Sequence, residues 1–197
     1  MKVGDTIKRR QVIFFLSIVF LSLLFSGTAS ALEKVIANSA DWRDVYSASI
    51  YASLTDRYPA LFLTSARHGT ILLYSVPKDT NGTLIVSSRS QPYIVNYKAT
   101  MEAQGYRDIE ELISNTINIE LARRVSNEIG INKFIIVDDA YGYNALSCAA
   151  YAILDKYYVL FASDRNIAQV DSFLSSVNPE NVIIFGQVDE SVKTRPL

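Results

Sequence analysis

The sequence contains a single cysteine and a single histidine among its 197 residues. One cysteine cannot close an internal disulfide, so we expect no disulfide partner and a fold stabilised by packing alone. A lone histidine without a second histidine or cysteine at ligand spacing does not fit the common zinc motifs. We therefore predict no metal site. Cys148 stands among small residues, where we expect it to be buried and unreactive.

Phosphate-binding glycine loops and serine nucleophile motifs are also missing. The chain has only eight glycines, and none has the spacing of a dinucleotide fingerprint, a P-loop or a nucleophile elbow. No stripe of clustered basic residues is present, because 19 basic residues are balanced by 20 acidic ones. We predict no catalytic residues, no cofactor, no enzymatic activity and no binding to nucleic acid.

The amino terminus carries the one long hydrophobic run. Four basic residues precede the apolar segment 12–25, and the small residues Ala29, Ser30 and Ala31 follow it. This order is typical of a secretory signal peptide, and the run is shorter than the roughly 20 residues of a membrane-spanning helix. We predict cleavage between Ala31 and Leu32, which removes residues 1–31 and leaves no membrane span; an uncleaved anchor is the alternative.

Two stretches about one hundred positions apart resemble each other. "RDVYSASIYASLTDRYPALFLT" begins at Arg43, and "GYNALSCAAYAILDKYYVLFAS" begins at Gly142. Identical residues occupy matching positions in both: Ser47 and Ser147, Tyr51 and Tyr151, Ala52 and Ala152, Leu54 and Leu154. The pattern indicates one structural unit used twice.

Hydrophobic periodicity predicts strands that alternate with helices. The predicted strands are 34–38, 60–64, 83–88, 133–138, 158–163 and 182–185. The predicted helices are 41–54, 91–104, 116–129, 144–154 and a further helix before the last strand, and 70–76 fits either a helix or a strand. Strands separated by helix-length segments predict parallel sheets covered on both faces.

The expected fold class is therefore α/β, with two tandem Rossmann-like three-layer units of parallel strands. The first unit spans 32–105, a connecting helical segment spans 106–130, and the second unit spans 131–197. The second unit is expected to be incomplete at its carboxyl end.

Acidic and aromatic residues follow the first strand of each copy, in "NSADWRD" and "VDDAYGYN". Open α/β sheets bind ligands at the carboxyl ends of their strands, and an acid with an aromatic ring can hold a cation or a sugar. The candidate ligand-binding residues are Asp41, Trp42, Asp44, Asp138, Asp139, Tyr141 and Asn144. Helix capping and loop solvation are the alternative roles for these residues.

The two copies resemble the cell-wall-binding repeat type 2 family of exported surface proteins. Asp44, Pro59, Leu63 and Thr64 in the first copy, "YNALSCAAYA" in the second and the glycine-ended strand "VIIFG" carry this resemblance. In that family, Rossmann-like modules, usually in sets of three, hold proteins non-covalently to anionic wall polymers. The segment 113–125 is similar to the helix that the family places before each module.

Together these features predict a non-enzymatic binding module that is secreted to the cell surface or cell envelope. Its expected partner is an envelope polymer or a surface-layer component. The alternative is an extracytoplasmic carbohydrate-active or solute-binding α/β protein. Asn81, in "NGT", is a candidate glycosylation site.

Overall fold

Two parallel sheets and six helices form the part of the chain that the computed structural model describes, residues 34–57, 60–78 and 82–188. The strands are β1 (Lys34–Asn38), β2 (Ala60–Phe62), β3 (Thr83–Ser88), β4 (Ile109–Ser114), β5 (Lys133–Asp138), β6 (Tyr158–Ala162) and β7 (Asn181–Ile184). The helices are α1 (Trp42–Leu54), α2 (Ala66–Ser75), α3 (Tyr97–Ala103), α4 (Ile117–Ile129), α5 (Gly142–Leu154) and α6 (Ile167–Val177).

The two sheets share one strand order. The first sheet runs β2-β1-β3-β4 and the second runs β6-β5-β7, and every pairing is parallel. In both sheets the first strand of the unit is central, with the second and third strands on either side of it. The predicted α/β fold with tandem Rossmann-like units is therefore confirmed, and the second sheet is the smaller one.

The ends of helices α1 and α5 show the duplication in backbone detail. The amide after each helix donates to the carbonyl of Tyr51 or Tyr151, in both cases at 3.0 Å. The next residue, Asp56 or Lys156, adopts a left-handed conformation with φ of 54° or 61°. Equal geometry at matched positions agrees with two copies of one unit.

A shared hydrophobic core joins the two sheets into one compact unit. Side chains of β1 and β3 pack from one side and those of β5 and β6 from the other, with α1 between them. Ala52 and Ala152 are both buried at their helix–sheet contacts, as the repeat predicts. Cys148 is also buried, as predicted, and burial raises the pKa of its thiol.

The segment 106–130 differs from the predicted helical connection. It begins with β4, which pairs along its whole length with β3, and only then forms α4. The helix predicted over 91–104 begins at Tyr97, because the side chain of Asn38 holds the preceding backbone. The side chain of Asn38 donates to the Ile94 carbonyl at 2.7 Å and accepts from the Ile94 amide at 3.0 Å. The backbone of Ile94 thus makes the two hydrogen bonds that it would otherwise make with a neighbouring strand.

The ambiguous segment 70–76 belongs to helix α2. The hydroxyl of Ser65 caps this helix by accepting the backbone N–H of His68 at 3.1 Å. His68 therefore lies in the first turn of this helix.

The predicted signal peptide, its cleavage point at Ala31 and Leu32, and the candidate glycosylation site Asn81 lie outside the described residues. Within those residues, no helix combines the length and hydrophobicity that crossing a membrane requires.

Candidate functional site

A cleft of about 280 Å³ opens at the carboxyl ends of strands β1, β4, β5 and β6. Loops from both sheets meet there, on the edge where open α/β sheets bind ligands. The cleft is lined by Asp41, Arg43, Asp44, Asn115, Thr116, Ile117, Asn118, Ile119, Asp139, Phe161, Arg165, Asn166 and Gln169.

Arg43 connects the two loops that the sequence singled out. Its Nη1 donates to Asp139 Oδ2 at 2.9 Å, and its Nε donates to Asp41 Oδ1 at 3.0 Å. Ser163 adds a second hydrogen bond to Asp139 Oδ2 at 3.1 Å. One guanidinium thus pairs with a carboxylate from each half of the repeat, a geometry that its planar fork of donors favours.

Asp41 combines this ion pair with a capping role. Its side chain accepts the backbone N–H of Arg43 at 2.9 Å and so caps the start of α1. Burial alone would raise the pKa of Asp41, but the hydrogen bonds from Arg43 outweigh that effect and lower the pKa below its ordinary value. Asp41 is therefore a fixed carboxylate in the wall of the cleft.

Asp44 differs from the other acids of the cleft. It lies in the first turn of α1, where the hydroxyl of Ser39 donates to Asp44 Oδ2 at 2.7 Å. Burial raises the pKa of Asp44 to about 6, and the charge of nearby Asp41 acts in the same direction. Near neutral pH this carboxyl group can therefore take up or release a proton.

Two asparagines form a rigid floor beneath the opening. Asn118 donates to the Val159 carbonyl at 2.8 Å and accepts from the Phe161 amide at 3.0 Å. Asn166 donates to the Phe161 carbonyl at 2.9 Å and accepts from the Ser163 amide at 2.8 Å. These amides satisfy the backbone at the end of β6, so they fix the shape of the cleft.

The rim of the cleft carries exposed polar side chains. Asn115 follows β4, while Arg165 and Gln169 follow β6 and enter α6. All three are exposed, and the side chain of Arg165 keeps 79% of its surface accessible. An amide donates and accepts hydrogen bonds, and a guanidinium donates them, so the rim can contact a polar ligand from two sides.

The structure places three of the predicted residues in the cleft wall: Asp41, Asp44 and Asp139. Asp138 points into its own loop, where its carboxylate accepts the Ala140 amide at 2.7 Å. This contact is the loop role that the sequence left open as the alternative. Asp138 does not line the cleft.

The two predicted aromatic residues lie outside the cleft wall. Trp42 packs edge-on against Phe161, with ring centroids 5.2 Å apart, and covers Gly142. Tyr141 is exposed and stacks on Tyr143 at 5.7 Å. Trp42 therefore joins the two units through packing, whereas Tyr141 remains on the surface beside them.

Asn144 packs against the end of β7. A Cβ atom at Gly186 would lie 2.4 Å from the amide nitrogen of Asn144, and Gly186 has a φ of +83°. Both observations require glycine at this position. Asn144 thus has a packing contact with the glycine-ended strand, and it does not line the cleft.

Sequence reasoning missed Arg43, Asn115, Asn118 and Arg165. Arg43 had a visible signal, because it stands between two acids in "NSADWRD". Asn115 and Asn118 follow β4, a strand that was not predicted, so their position at the sheet edge could not be inferred. Arg165 carried no motif that distinguishes it from other surface arginines.

Among the described residues, no group of three or more metal-ligating side chains is close enough to hold a metal ion. Comparisons of the chain with protein-family models, with curated proteins and with solved structures gave no match. The resemblance to cell-wall-binding repeats therefore stays a prediction.

Proposed function

We propose that this protein is a non-catalytic module of the cell surface or cell envelope that binds an envelope polymer or a surface-layer component in the cleft. The observation that carries the proposal is the Arg43–Asp139 ion pair, through which loops from both repeat units build one opening. The amino-terminal leader pattern and the resemblance to cell-wall-binding repeats support an exported role.

Preorganisation supports binding at this position. The floor amides and the Arg43 guanidinium already hold protein partners, so a ligand would not have to order them. A site whose shape is set in advance loses less free energy on binding than one that must be ordered by its ligand. The exposed rim residues Asn115, Arg165 and Gln169 then supply the contacts that select the ligand.

The charges of the cleft favour a polyhydroxyl segment over a strongly anionic polymer. Arg43 is paired with two acids, and Arg165, the other cation of the cleft lining, lies 4.0 Å from the carboxylate of Asp164. Without its first 31 residues the chain has 15 basic and 19 acidic residues, a net charge of −4. Such a balance attracts a polyanion weakly. The small volume of the cleft suits a short segment of a polymer.

A pull-down on purified envelope material tests this proposal. The wild-type protein and the Asn115→Ala/Arg165→Ala double variant are mixed with washed envelope fractions, and bound protein is measured after sedimentation. We expect the wild type to sediment with the envelope, and the double variant to lose at least about tenfold in affinity, which corresponds to about 1.4 kcal/mol.

Arg107→Ala is the matched control for this experiment. Arg107 is exposed and precedes β4, so it lies at the opposite edge of the first sheet. Its removal should leave sedimentation unchanged. Wild-type protein that stays in solution, or a double variant that binds as well as the wild type, would contradict the proposal.

A second candidate function is an extracytoplasmic carbohydrate-active or solute-binding protein, and Asp44 is the observation that favours it. A carboxyl group with a pKa of about 6 in a cleft can serve as a proton donor or acceptor. A thermal-shift screen of soluble sugars and divalent cations tests this alternative. Stabilisation by a small sugar that disappears in Asp44→Asn, without binding to envelope material, would favour it over the first proposal.

A further inference from the structure

Helix α5 exposes an apolar surface whose counterpart on α1 is buried at Ile50, Tyr51 and Leu54. We name the "α5 face" by its residues Tyr143, Leu146, Ala150, Tyr151 and Leu154, which fall on one side of the helix at helical spacing. Its four large residues are widely exposed: Tyr143 by 72%, Leu146 by 70%, Tyr151 by 46% and Leu154 by 80%. Ordinary surface positions expose single apolar residues, whereas this face exposes a contiguous set.

The matching positions of α1 make an extensive helix–helix contact. Tyr51 and Leu54, which correspond to Tyr151 and Leu154, are only 0% and 2% exposed. The hydroxyl of Tyr51 donates to Glu128 Oε2 on α4 at 2.7 Å. At the other end of α4, Asn118 donates to the Ser47 hydroxyl at 2.9 Å. The α1 residues at these positions therefore pack against a helix from the other half of the chain.

The second copy has kept the residue types that make this contact. Serine, tyrosine and leucine occupy positions 147, 151 and 154 of α5 as they occupy 47, 51 and 54 of α1. In addition, none of the 13 residues of α5 is charged. An exposed helix without any charge is unusual on a surface facing only water, since such helices normally carry a charged face.

We propose that two copies of this chain associate through their α5 faces around a twofold axis. In a twofold contact a residue close to the axis meets its own copy, so a charge at the centre of the helix face would meet a like charge. The uncharged α5 face avoids that repulsion. Ala150 of this face and the neighbouring Ser147 are small and lie between the larger residues, so two helices can approach closely and interleave their tyrosine and leucine side chains.

Helix α4 of a second copy is a less suitable partner. In each chain α4 already packs against its own α1, through the Tyr51–Glu128 and Asn118–Ser47 hydrogen bonds. Using it between chains would first require that internal contact to open. The α5 face, by contrast, is accessible in every copy without rearrangement.

The size of the α5 face sets the expected strength of the dimer. A tyrosine side chain has roughly 150–250 Å² of surface, so the exposed parts of these residues amount to on the order of 500 Å² on each copy. Two such faces bury at most about 1,000 Å² in total, which is the lower limit for a specific interface. We therefore expect a weak dimer whose population rises with protein concentration.

Sedimentation equilibrium over a range of concentrations tests the proposal. The protein is expressed from the full-length sequence and purified in the form that the cells produce. We expect a monomer–dimer equilibrium whose dissociation constant rises at least about tenfold in Leu154→Glu. The matched control is Tyr74→Glu, which places the same charge on an exposed apolar position of α2 and should leave the equilibrium unchanged.

Cross-linking provides a second measurement that does not depend on a destabilising charge. A short bismaleimide should join two copies of Ala150→Cys, because this position is exposed at the centre of the α5 face, whereas the wild-type Cys148 is buried. Ala103→Cys, exposed on α3, should stay uncoupled at the same protein concentration. A monomer at all concentrations, or a dimer insensitive to Leu154→Glu and not joined at position 150, would overturn the proposal.

Discussion

Replacing Asp44 by asparagine should stabilise the protein more at neutral pH than in acid. Burial raises the pKa of Asp44 from 3.8 to about 6 in the folded state. The native protein therefore holds this proton more tightly than the unfolded chain does, and ionising the group costs stability. Asparagine keeps an oxygen that can accept the hydrogen bond of Ser39, and it has no charge to bury. The second copy of the unit has asparagine, Asn144, at the matching position.

The sign and size follow from the two pKa values. Between about pH 4 and pH 6 the native state binds more protons than the unfolded state, so the free energy of unfolding falls as pH rises through this window. The full difference of about two pKa units corresponds to about 3 kcal/mol above pH 7. Roughly 1 kcal/mol is already lost by about pH 4.5. Losing a negative charge in the first turn of α1 offsets about 0.3–1 kcal/mol of the gain.

Urea unfolding monitored by circular dichroism at about pH 4.5 and about pH 7.5 measures this effect. We expect Asp44→Asn to raise the free energy of unfolding by about 2 kcal/mol at the higher pH and by about 1 kcal/mol at the lower pH. In thermal melts the higher-pH gain corresponds to about 4–8 °C. Asp164→Asn is the control, because Asp164 is largely exposed and should change stability by less than about 0.5 kcal/mol. Equal effects at both pH values, or a loss of stability at pH 7.5, would refute the reasoning.

Three further predictions test other parts of the chain. Ala52→Leu and Ala152→Leu should each lower the free energy of unfolding in urea by about 1–3 kcal/mol, because each overpacks the buried helix–sheet contact of its own unit. Gly186→Ala should destabilise by about 1–3 kcal/mol, because its φ is positive and a Cβ atom would collide with Asn144. Mass measurement of the exported protein should show a chain that begins at Leu32.

Each of these predictions has its own control or contradicting result. Asp155→Lys, at an exposed position beside the α5 terminus, should change stability by less than about 0.5 kcal/mol. Loss of stability in Ala52→Leu alone would argue against equivalent units. Gly105→Ala isolates the cost of positive φ, since no atom lies within 4 Å of its Cβ position, and it should therefore cost less than Gly186→Ala. A mature protein that retains residues 1–31 would indicate an anchor.

The regular elements could largely be predicted from the sequence because their apolar residues follow helix or strand periodicity. The exceptions are β4 and the start of α3. The strand Ile109–Ser114 contains two adjacent glutamates and only partly buries its side chains, so its pattern does not indicate a strand. Helix α3 begins late because Asn38 binds the backbone at Ile94, a contact between residues 56 positions apart. Local patterns carry no information about such a contact.

The candidate site was predictable only in part for a related reason. The rule that ligands bind at the carboxyl ends of parallel strands selected the loops after β1 and β5, and the structure places three of their acids in the lining of the cleft. The same rule could not show that Arg43 would pair with Asp139, since this requires knowing how the two sheets pack together. It also could not assign Trp42 to packing, because an aromatic residue after a strand looks the same in the sequence whether it packs against the protein or binds a ligand.

Hydrogen exchange in the presence of solubilised envelope polymer tests the central claim most directly, because it reports where the ligand binds. The account predicts that backbone amides of the cleft loops, 115–118 and 163–169, exchange more slowly when the polymer is added. The loops 130–132 and 155–157 precede β5 and β6 at the opposite edge, and their exchange should stay unchanged. Protection at that opposite edge, or no protection at the cleft despite measurable binding, would contradict the claim that the cleft binds the polymer.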